Sequence, residues 1–320
     1  MYYPVFFIEP TNVCNLSCPM CPTNNEMCRS KGYMKLADFK SFIDEMETHF
    51  PHSSKYLNIW GWGEPLLNAD IYEMIKLASQ KRFVSRISSN FNFEAHGNID
   101  KILGSDLSVL IIGLDGLDEE TYRAYRKNGD LIKVIDNIRE LQKRKKQYNT
   151  FYPIVVISTL VTKKSISNIN AIKDFCEKES IDALMLKSPN LWRAGKTDLQ
   201  VNTLYKEFIL PQVSFSRYDE GITSLGNKGI CPFLKMNGVI LWDGSISTCC
   251  YDYNGENLIV ENEFTENYKS FLNNRENYKL WNMMKKREFS ICSSCDGNAT
   301  RRKWVLFNKN ANLIFYLKYL

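Results

Sequence analysis

Apolar residues form six short runs along the first two thirds of the chain, and each run is typical of a strand covered on both faces. The runs are PVFFIE from Pro4, YLNIW from Tyr56, FVSRIS from Phe83, SVLIIGL from Ser108, PIVVIST from Pro153 and ALMLK from Ala183. Between the runs, apolar residues recur at helical spacing. The helical positions are Phe39, Phe42, Ile43, Met46 and Phe50; Ile71, Met74, Ile75 and Ala78; Val134, Ile138 and Leu141; and Ile169, Ile172 and Cys176.

This alternation of strands and helices predicts an α/β fold with a parallel sheet and right-handed crossovers. Six units are fewer than the eight of a closed barrel. We therefore expect an open, partial (β/α)6 barrel that binds its ligands at the C-terminal ends of the strands.

The alternation stops near Lys196, where loop-rich polar sequence begins. We therefore predict a barrel domain over residues 1–200 and a smaller domain over residues 201–320. The basic, aromatic tail RRKWVLFNKNANLIFYLKYL ends the chain. We expect it to pack on the main domain rather than on a membrane surface.

The composition is that of a globular protein, with 44% apolar and 24% charged residues. The net charge of +5 comes from 41 basic and 36 acidic residues spread along the chain, which does not indicate a nucleic-acid partner. No apolar run is long enough to span a bilayer. The N-terminal sequence lacks the features of a signal peptide, and we expect a cytosolic protein.

Ten cysteines in a cytosolic chain indicate metal rather than disulfides, because their positions are clustered. Cys14, Cys18 and Cys21 form a CxxxCxxC motif on the loop after the first strand. Three thiolates can hold three irons of a [4Fe–4S] cluster and leave the fourth iron open to a small molecule. A structural zinc site is the alternative, but it requires a fourth ligand, and Cys28 lies at an unusual spacing. We expect Cys176 to be a core residue.

This motif resembles that of the radical SAM superfamily. The resemblance implies that the open iron chelates S-adenosylmethionine (SAM), and that an electron from the cluster cleaves SAM to a 5′-deoxyadenosyl radical that abstracts hydrogen from the substrate. The residue before the third cysteine is commonly aromatic in the family. Here it is Met20, for which the resemblance implies contact with the adenine.

Other elements match the family in order and place. Gly63 and Glu64 lie in a GWGEP sequence after the second strand, and the resemblance implies that this element holds the SAM ammonium. Ser89 and Asn90 at the end of the third strand resemble residues that contact the methionyl and ribose groups. After the fourth strand, Asp115 is a candidate catalytic residue and substrate contact. Arg126 is interpreted as a salt-bridging surface residue.

A second cysteine group follows residue 200. Cys231 and Cys249 flank a predicted hairpin that turns at Gly244, and Cys292 and Cys295 form a distant CxxC. Four such thiolates suit either a complete [4Fe–4S] cluster or zinc. The spacing resembles the auxiliary-cluster region of the SPASM/twitch subgroup. Because no cysteine follows Cys295, the resemblance favours the shorter twitch form, with one auxiliary cluster, and aminocyclitol dehydrogenases in particular.

The resemblance implies two [4Fe–4S] clusters, SAM and an external electron donor of the flavodoxin or ferredoxin type. We expect dehydrogenation of an alcohol or amine carbon, with Lys187 at the end of strand six as a base or substrate anchor. An alternative is epimerisation with Cys250, which an extended strand would turn away from Cys249, as hydrogen donor. Peptide modification is a further alternative, disfavoured because Cys14 lies close to the N-terminus. A non-catalytic zinc-binding module is the alternative of a different class.

Overall fold

A computed structural model describes most residues of the chain. These are residues 5–49, 55–95, 97–193, 196–224, 236–260, 282–283, 285–293, 295, 302–308 and 312–317. Among them, no helix is long and apolar enough to cross a membrane.

Six parallel strands form the centre of the fold and neighbour one another in chain order. They are β1 (Val5–Ile8), β2 (Lys55–Ile59), β3 (Phe83–Ser89), β4 (Val109–Gly113), β5 (Ile154–Leu160) and β6 (Ala183–Lys187). Helices connect them: α1 (Leu36–His49), α2 (Ile71–Gln80), α3 (Asn98–Leu103), α4 (Glu119–Tyr125), α5 (Leu131–Gln147) and α6 (Ile169–Lys178), with α7 (Asp198–Phe208) after β6. The predicted open (β/α)6 barrel is confirmed.

The two faces of the sheet bury different apolar clusters, which explains why the strands read as continuous apolar runs. The outer face packs on the helices through residues such as Phe6, Leu57, Ile112 and Ile157. Cys176 on α6 is fully buried in this outer cluster, as predicted. The inner face carries a separate cluster, which consists mainly of Val109, Ile111, Ile154, Val156, Ala183 and Met185.

Three further strands extend the sheet beyond β1. They are β7 (Met236–Ile240), β8 (Ile246–Ser247) and β9 (Leu258–Val260). β7 lies parallel to β1 and pairs antiparallel with β8, which confirms the predicted hairpin. Gly244 has φ of +86° in the turn, where a side chain would be strained.

The C-terminal tail returns to the barrel. Its strand β10 (Arg302–Leu306) pairs antiparallel with β6, at the other edge of the sheet. A short helix, α8 (Ser290–Ser293), precedes it, and α9 (Asn312–Leu317) follows it. Leu313 of α9 is buried in the inner cluster of the barrel. The expectation that the tail packs on the main domain is therefore confirmed, while the division at residue 200 stays a prediction.

Candidate active site

The first cysteine motif lies on the loop that leaves β1 at its C-terminal end. The loop is held by its own polar groups: the Cys21 N–H donates to the Cys18 carbonyl at 3.0 Å, and the Asn25 side chain donates to the carbonyls of Cys18 and Cys21. Lys31 donates to the carbonyls of Asn12 and Thr23. These hydrogen bonds therefore hold the cysteine motif at the C-terminal end of β1, which is the end of the barrel predicted to bind ligands.

Burial of these thiols disfavours their ionised form. It raises the pKa of Cys14 to about 11 and the pKa of Cys18 to about 12. A bound metal reverses this preference, because a coordinating thiol is deprotonated. Among the described residues, no three His, Cys, Asp or Glu side chains lie close enough to hold a single metal ion. In a [4Fe–4S] cube each thiolate binds a different iron, and three cysteines leave the fourth iron open to a ligand.

The glycine-rich loop after β2 packs directly on this cysteine loop. A Cβ atom on Gly63 would lie 2.4 Å from the carbonyl oxygen of Thr11 and 2.6 Å from that of Val13. The next residue, Glu64, donates its N–H to the same Val13 carbonyl at 2.8 Å. Glycine at position 63 is thus required by the close approach of two backbone segments.

The Glu64 carboxylate is buried between β2 and β3. It accepts the Asn90 N–H at 2.7 Å and the Leu66 N–H at 3.1 Å. Burial raises the pKa of Glu64 to about 7, and hydrogen bonds from Asn90, Ser89 and Leu66 oppose the rise. In the described part of the chain, no Lys or Arg pairs with this carboxylate. A bound ammonium group would therefore stabilise its charged form.

Ser89 and Asn90 lie beside Glu64, but their side chains are already hydrogen-bonded within the protein. The Ser89 hydroxyl accepts the Phe91 N–H at 2.9 Å. The Asn90 amide donates to Asn15 Oδ1 at 2.7 Å and lies 3.8 Å from the Cys14 sulfur. Asn90 therefore connects the end of β3 to the cysteine loop, whereas the Ser89 bond to Phe91 is local.

Asp115 and Arg126 form a buried pair, which confirms the salt bridge predicted for Arg126 and corrects its predicted surface position. Arg126 Nε donates to Asp115 Oδ2 at 2.6 Å, and Asp115 Oδ1 accepts the Leu160 N–H at 2.6 Å. Both carboxylate oxygens of Asp115 are therefore engaged within the protein, and its contact with substrate stays a prediction. Arg126 is not a surface residue, because its side chain is only 16% exposed. Gly113 leaves space for the Arg126 side chain, since a Cβ atom at position 113 would lie 2.4 Å from its guanidinium.

Met20 is also placed differently from the expectation. Its side chain is fully buried in a cluster that includes Leu191 and residues of α7. This packing makes Met20 a core residue and does not present it as a surface for adenine. Lys187, in contrast, ends β6 on the inner face of the barrel and is half-buried.

The second cysteine group is described in part, because Cys231 lies outside the described residues. Burial raises the pKa of Tyr251 to about 12, and the neighbouring thiols of Cys250, Cys295 and Cys249 add to the rise. Cys295 of the distant CxxC is therefore within electrostatic range of Tyr251, which follows the β7–β8 hairpin.

The strand β8 does not continue through Cys249 and Cys250. The strand β8 ends at Ser247, and the chain turns at Cys250. Interaction with the neighbouring Cys250 thiol and burial raise the pKa of Cys249 well above its usual value. The prediction of opposite directions required an extended strand through both residues, and this condition is not met.

Aromatic rings that the sequence did not single out lie between the two cysteine groups. Trp62, in the glycine-rich loop, packs edge-on against Trp192 with ring centroids 4.7 Å apart. Trp192 in turn contacts Tyr251 at 4.5 Å. A carbonyl–hydroxyl hydrogen bond links Trp62 to Thr23, whose hydroxyl lies 3.3 Å from the Cys21 sulfur.

Two family models match the chain. The model of the radical SAM superfamily matches residues 8–172, slightly more than half of the sequence. The model of SPASM, an iron-sulfur cluster-binding domain, matches residues 231–296. The chain is 25% identical over 182 residues to 7,8-dihydro-6-hydroxymethylpterin dimethyltransferase of Methanocaldococcus jannaschii, which covers 55% of this chain and 34% of that protein. It spans about a third to a half of the length of three curated relatives.

Solved structures share the architecture. SuiB of Streptococcus suis bound to the precursor peptide SuiA has a TM-score of 0.62 and 18% identity, covering 94% of this chain and 71% of SuiB. BtrN in complex with AdoMet and 2-DOIA has a TM-score of 0.53 and 13% identity, covering 93% of this chain and 92% of BtrN. These likenesses show the fold: an α/β radical SAM partial barrel with a C-terminal auxiliary-cluster domain.

Proposed function

The chain belongs to the radical SAM superfamily and carries a SPASM domain, and on this premise we propose that it oxidises an alcohol or amine carbon of a small molecule. When bound, the cofactors would supply the redox chemistry, which is reductive cleavage of SAM to methionine and a 5′-deoxyadenosyl radical at the first [4Fe–4S] cluster and acceptance of the electron from substrate oxidation at an auxiliary cluster. In this reaction the carbon loses a hydrogen atom and its hydroxyl or amine loses a proton.

We assign the first cluster to Cys14, Cys18 and Cys21. The observation that carries this assignment is the joint packing of the cysteine loop, Gly63 and Glu64 at one end of the barrel. Glu64 offers a buried carboxylate to the SAM ammonium, and Asn90 holds Glu64 against the Cys14 segment. These contacts place a cation-accepting group beside the thiols that would bind the cluster.

We assign one auxiliary cluster of the twitch type to Cys231, Cys249, Cys292 and Cys295, within a C-terminal domain over residues 201–320. Four protein ligands leave no iron open to substrate, which suits electron transfer. BtrN, whose structure contains AdoMet and 2-DOIA, supports a small-molecule substrate. SuiB was solved with a precursor peptide, and a peptide substrate is the competing proposal.

The dehydrogenation that we propose does not require Cys250 as a hydrogen donor, and epimerisation with this thiol as the donor is the alternative proposal. A hydrogen donor needs its S–H directed at the substrate carbon. We propose that Cys250 contributes to the surroundings of the auxiliary cluster. Reducing electrons for the first cluster come from an external donor of the flavodoxin or ferredoxin type.

The test is anaerobic incubation of the reconstituted protein with SAM and dithionite, followed by quantification of 5′-deoxyadenosine. We expect SAM cleavage in the wild type and none when Cys14, Cys18 and Cys21 are changed to Ala. Cys292→Ala with Cys295→Ala should retain part of the SAM cleavage and lose substrate oxidation. Absence of 5′-deoxyadenosine from wild-type protein that contains iron and sulfide would refute the proposed function.

A further inference from the structure

Two basic side chains lie directly opposite each other at the C-terminal end of β6. Arg302 of β10 is the ladder partner of Lys187. Antiparallel partners project to the same face of a sheet, about 5 Å apart at Cβ, and like charges in this position repel. Met185, two residues before Lys187, belongs to the inner cluster and lies 3.7 Å from Arg302 Nη1. Both cations are therefore on the inner face of the barrel.

A third cation, Arg217, is fixed beside this pair. Its N–H donates to the Ser188 hydroxyl at 3.0 Å, and its Nε donates to the Ser188 carbonyl at 3.2 Å. Arg217 is only 9% exposed. Ser188 directly follows Lys187, so these bonds hold the third guanidinium close to the other two charges.

The electrostatics of the three groups agree with this placement. Burial lowers the pKa of Lys187 to about 8, and the charges of Arg302, Arg126 and Arg217 add to the decrease. Burial and the charge of Arg217 also lower the pKa of Arg302. The neighbouring positive charges thus disfavour the charged forms of Lys187 and Arg302.

The described residues do not supply a compensating carboxylate to Lys187 or Arg302. Asp115 is the carboxylate that acts on Lys187, and both of its oxygens already bind Arg126 and the Leu160 N–H. In the described part of the chain, neither Lys187 nor Arg302 forms an ion pair. Because buried charges are ordinarily paired, this arrangement is stable only with an anion bound or at a cost in folding free energy.

The basic group formed by Lys187, Arg217 and Arg302 is within electrostatic range of residues near both candidate cluster regions. On one side, Arg126 is within electrostatic range of both Lys187 and Cys18. On the other side, Arg217 acts on Tyr251, which lies beside Cys249 and Cys295. A substrate that reacts between the two regions would meet these cations.

We propose that Lys187, Arg217 and Arg302 bind an anionic group of the substrate, a carboxylate or a phosphate, and so select acidic substrates over neutral ones. Guanidinium groups suit both anions through paired N–H donors, and lysine adds a compact charge. The identification of the bound molecule as substrate rests on the proposed function, whereas the anion site itself does not.

The test uses reconstituted holoprotein with propionate and inorganic phosphate as probes, at pH 7 and constant ionic strength set with chloride. Thermal unfolding is measured against probe concentration, with neutral propionamide as the control. We expect saturable stabilisation by at least one anion and none by propionamide. Stabilisation by propionate alone identifies a carboxylate site, and stabilisation by phosphate alone identifies a phosphate site. Absence of saturable stabilisation by either anion would overturn the proposal.

Matched variants locate the site. Lys187→Met and Arg302→Met should each weaken the apparent affinity for the probe by about tenfold or more, the loss expected for a charge-assisted contact. Lys303→Met is the control, because Lys303 is exposed on the same strand, next to Arg302. The conservative variants Lys187→Arg and Arg302→Lys should retain binding, so that loss through misfolding is recognised. Unchanged affinity in both Met variants would refute the assignment.

The same samples separate this proposal from the proposed function. 5′-Deoxyadenosine formation is measured with SAM and dithionite in parallel with probe binding. Probe binding without SAM cleavage would contradict the proposed radical reaction and support the anion site. SAM cleavage without probe binding would contradict the anion site and support the proposed radical reaction.

Discussion

Arg29 donates through Nη2 to both carboxylate oxygens of Glu9, at 2.9 and 3.0 Å. Glu9 directly follows β1 and is fully buried, and the Arg29 side chain is 10% exposed. The same guanidinium donates through Nε to the Tyr253 carbonyl at 2.7 Å. One pair therefore joins the end of β1, the cysteine loop and the segment after Cys249.

Arg29→Met should destabilise the protein strongly, because it leaves the Glu9 carboxylate buried without its partner. Removal of one member of a buried pair costs about 3–5 kcal/mol. Urea unfolding of the reconstituted protein measures this loss. Lys40→Met is the control, since Lys40 and Asp44 form an exposed pair worth less than about 1 kcal/mol. Equal losses in the two variants would show that the Glu9 pair has no special role.

Iron content tests the assignment of the clusters. Two [4Fe–4S] clusters correspond to about eight irons per chain. Changing Cys14, Cys18 and Cys21 together to Ala should leave about half of this iron, because only the first cluster is lost. Cys28→Ala is the control, since Cys28 is an exposed cysteine near the same loop and should keep all of the iron. Stoichiometric zinc in place of iron would contradict both assignments.

Glu64→Gln should weaken SAM binding while preserving the shape of the side chain. Loss of a charge-assisted contact of about 1.5–3 kcal/mol corresponds to a decrease in affinity of roughly tenfold to 150-fold. The measurement is equilibrium binding of SAM at pH 8, above the Glu64 pKa of about 7. Glu73→Gln, at an exposed position of α2, is the control. If SAM affinity is the same in both variants, Glu64 serves only to join β3 to the Pro65–Leu67 turn.

The architecture followed from the sequence because parallel strands buried on both faces leave continuous apolar runs. β3 begins at Phe83 and β6 spans Ala183–Lys187, as predicted. Site contacts were harder to predict, because they join residues far apart in the chain. Arg126 resembled a charged residue on a helix surface, and only its pairing with Asp115 shows that it is buried. The sole local signal was Gly113, which leaves space for the guanidinium.

The basic group of Lys187, Arg217 and Arg302 cannot be predicted from the sequence for a related reason. The sequence RRKWVL resembles a cationic tail, and its pattern does not reveal that it forms an edge strand beside β6. Only the register of β10 on β6 brings Arg302 opposite Lys187. Sequence reasoning therefore placed Lys187 correctly at a strand end but did not identify the neighbours that determine its role.

The affinity for propionate should fall as pH rises through about 8. Burial and the charges of Arg302 and Arg126 lower the pKa of Lys187 to about 8, Asp115 opposes them, and Arg217 adds to them. Below about pH 7 the amine is charged and binds the anion, whereas near pH 9 about nine tenths of it is neutral, which lowers the affinity roughly tenfold. Propionate keeps its charge over this range, so the change reports on the protein. Lys187→Met should show a flat profile.

The opposite trend would change the interpretation of Lys187. If activity on the eventual substrate rises through pH 8 while propionate affinity stays constant, the neutral amine is the functional form. Lys187 would then act as a base rather than as an anchor. The wild type and Lys187→Arg distinguish the two roles, because arginine remains charged throughout this range and retains only the anchoring role.

Cys250→Ala tests whether the reaction returns hydrogen to the substrate, once that substrate is known. In a dehydrogenation the reacting carbon loses hydrogen and gains a double bond, so no donor is needed, and the variant should retain turnover. Product formed in deuterated water should then carry no deuterium at that carbon. In an epimerisation the inverted carbon receives hydrogen from an exchangeable thiol, and the wild-type product would carry one deuterium. Cys28→Ala controls for the general loss of a cysteine, and iron content shows whether the auxiliary cluster survives beside the altered residue. If Cys250→Ala keeps its iron but loses turnover, and the wild-type product carries deuterium, the thiol next to Cys249 is the hydrogen donor and the dehydrogenase proposal fails.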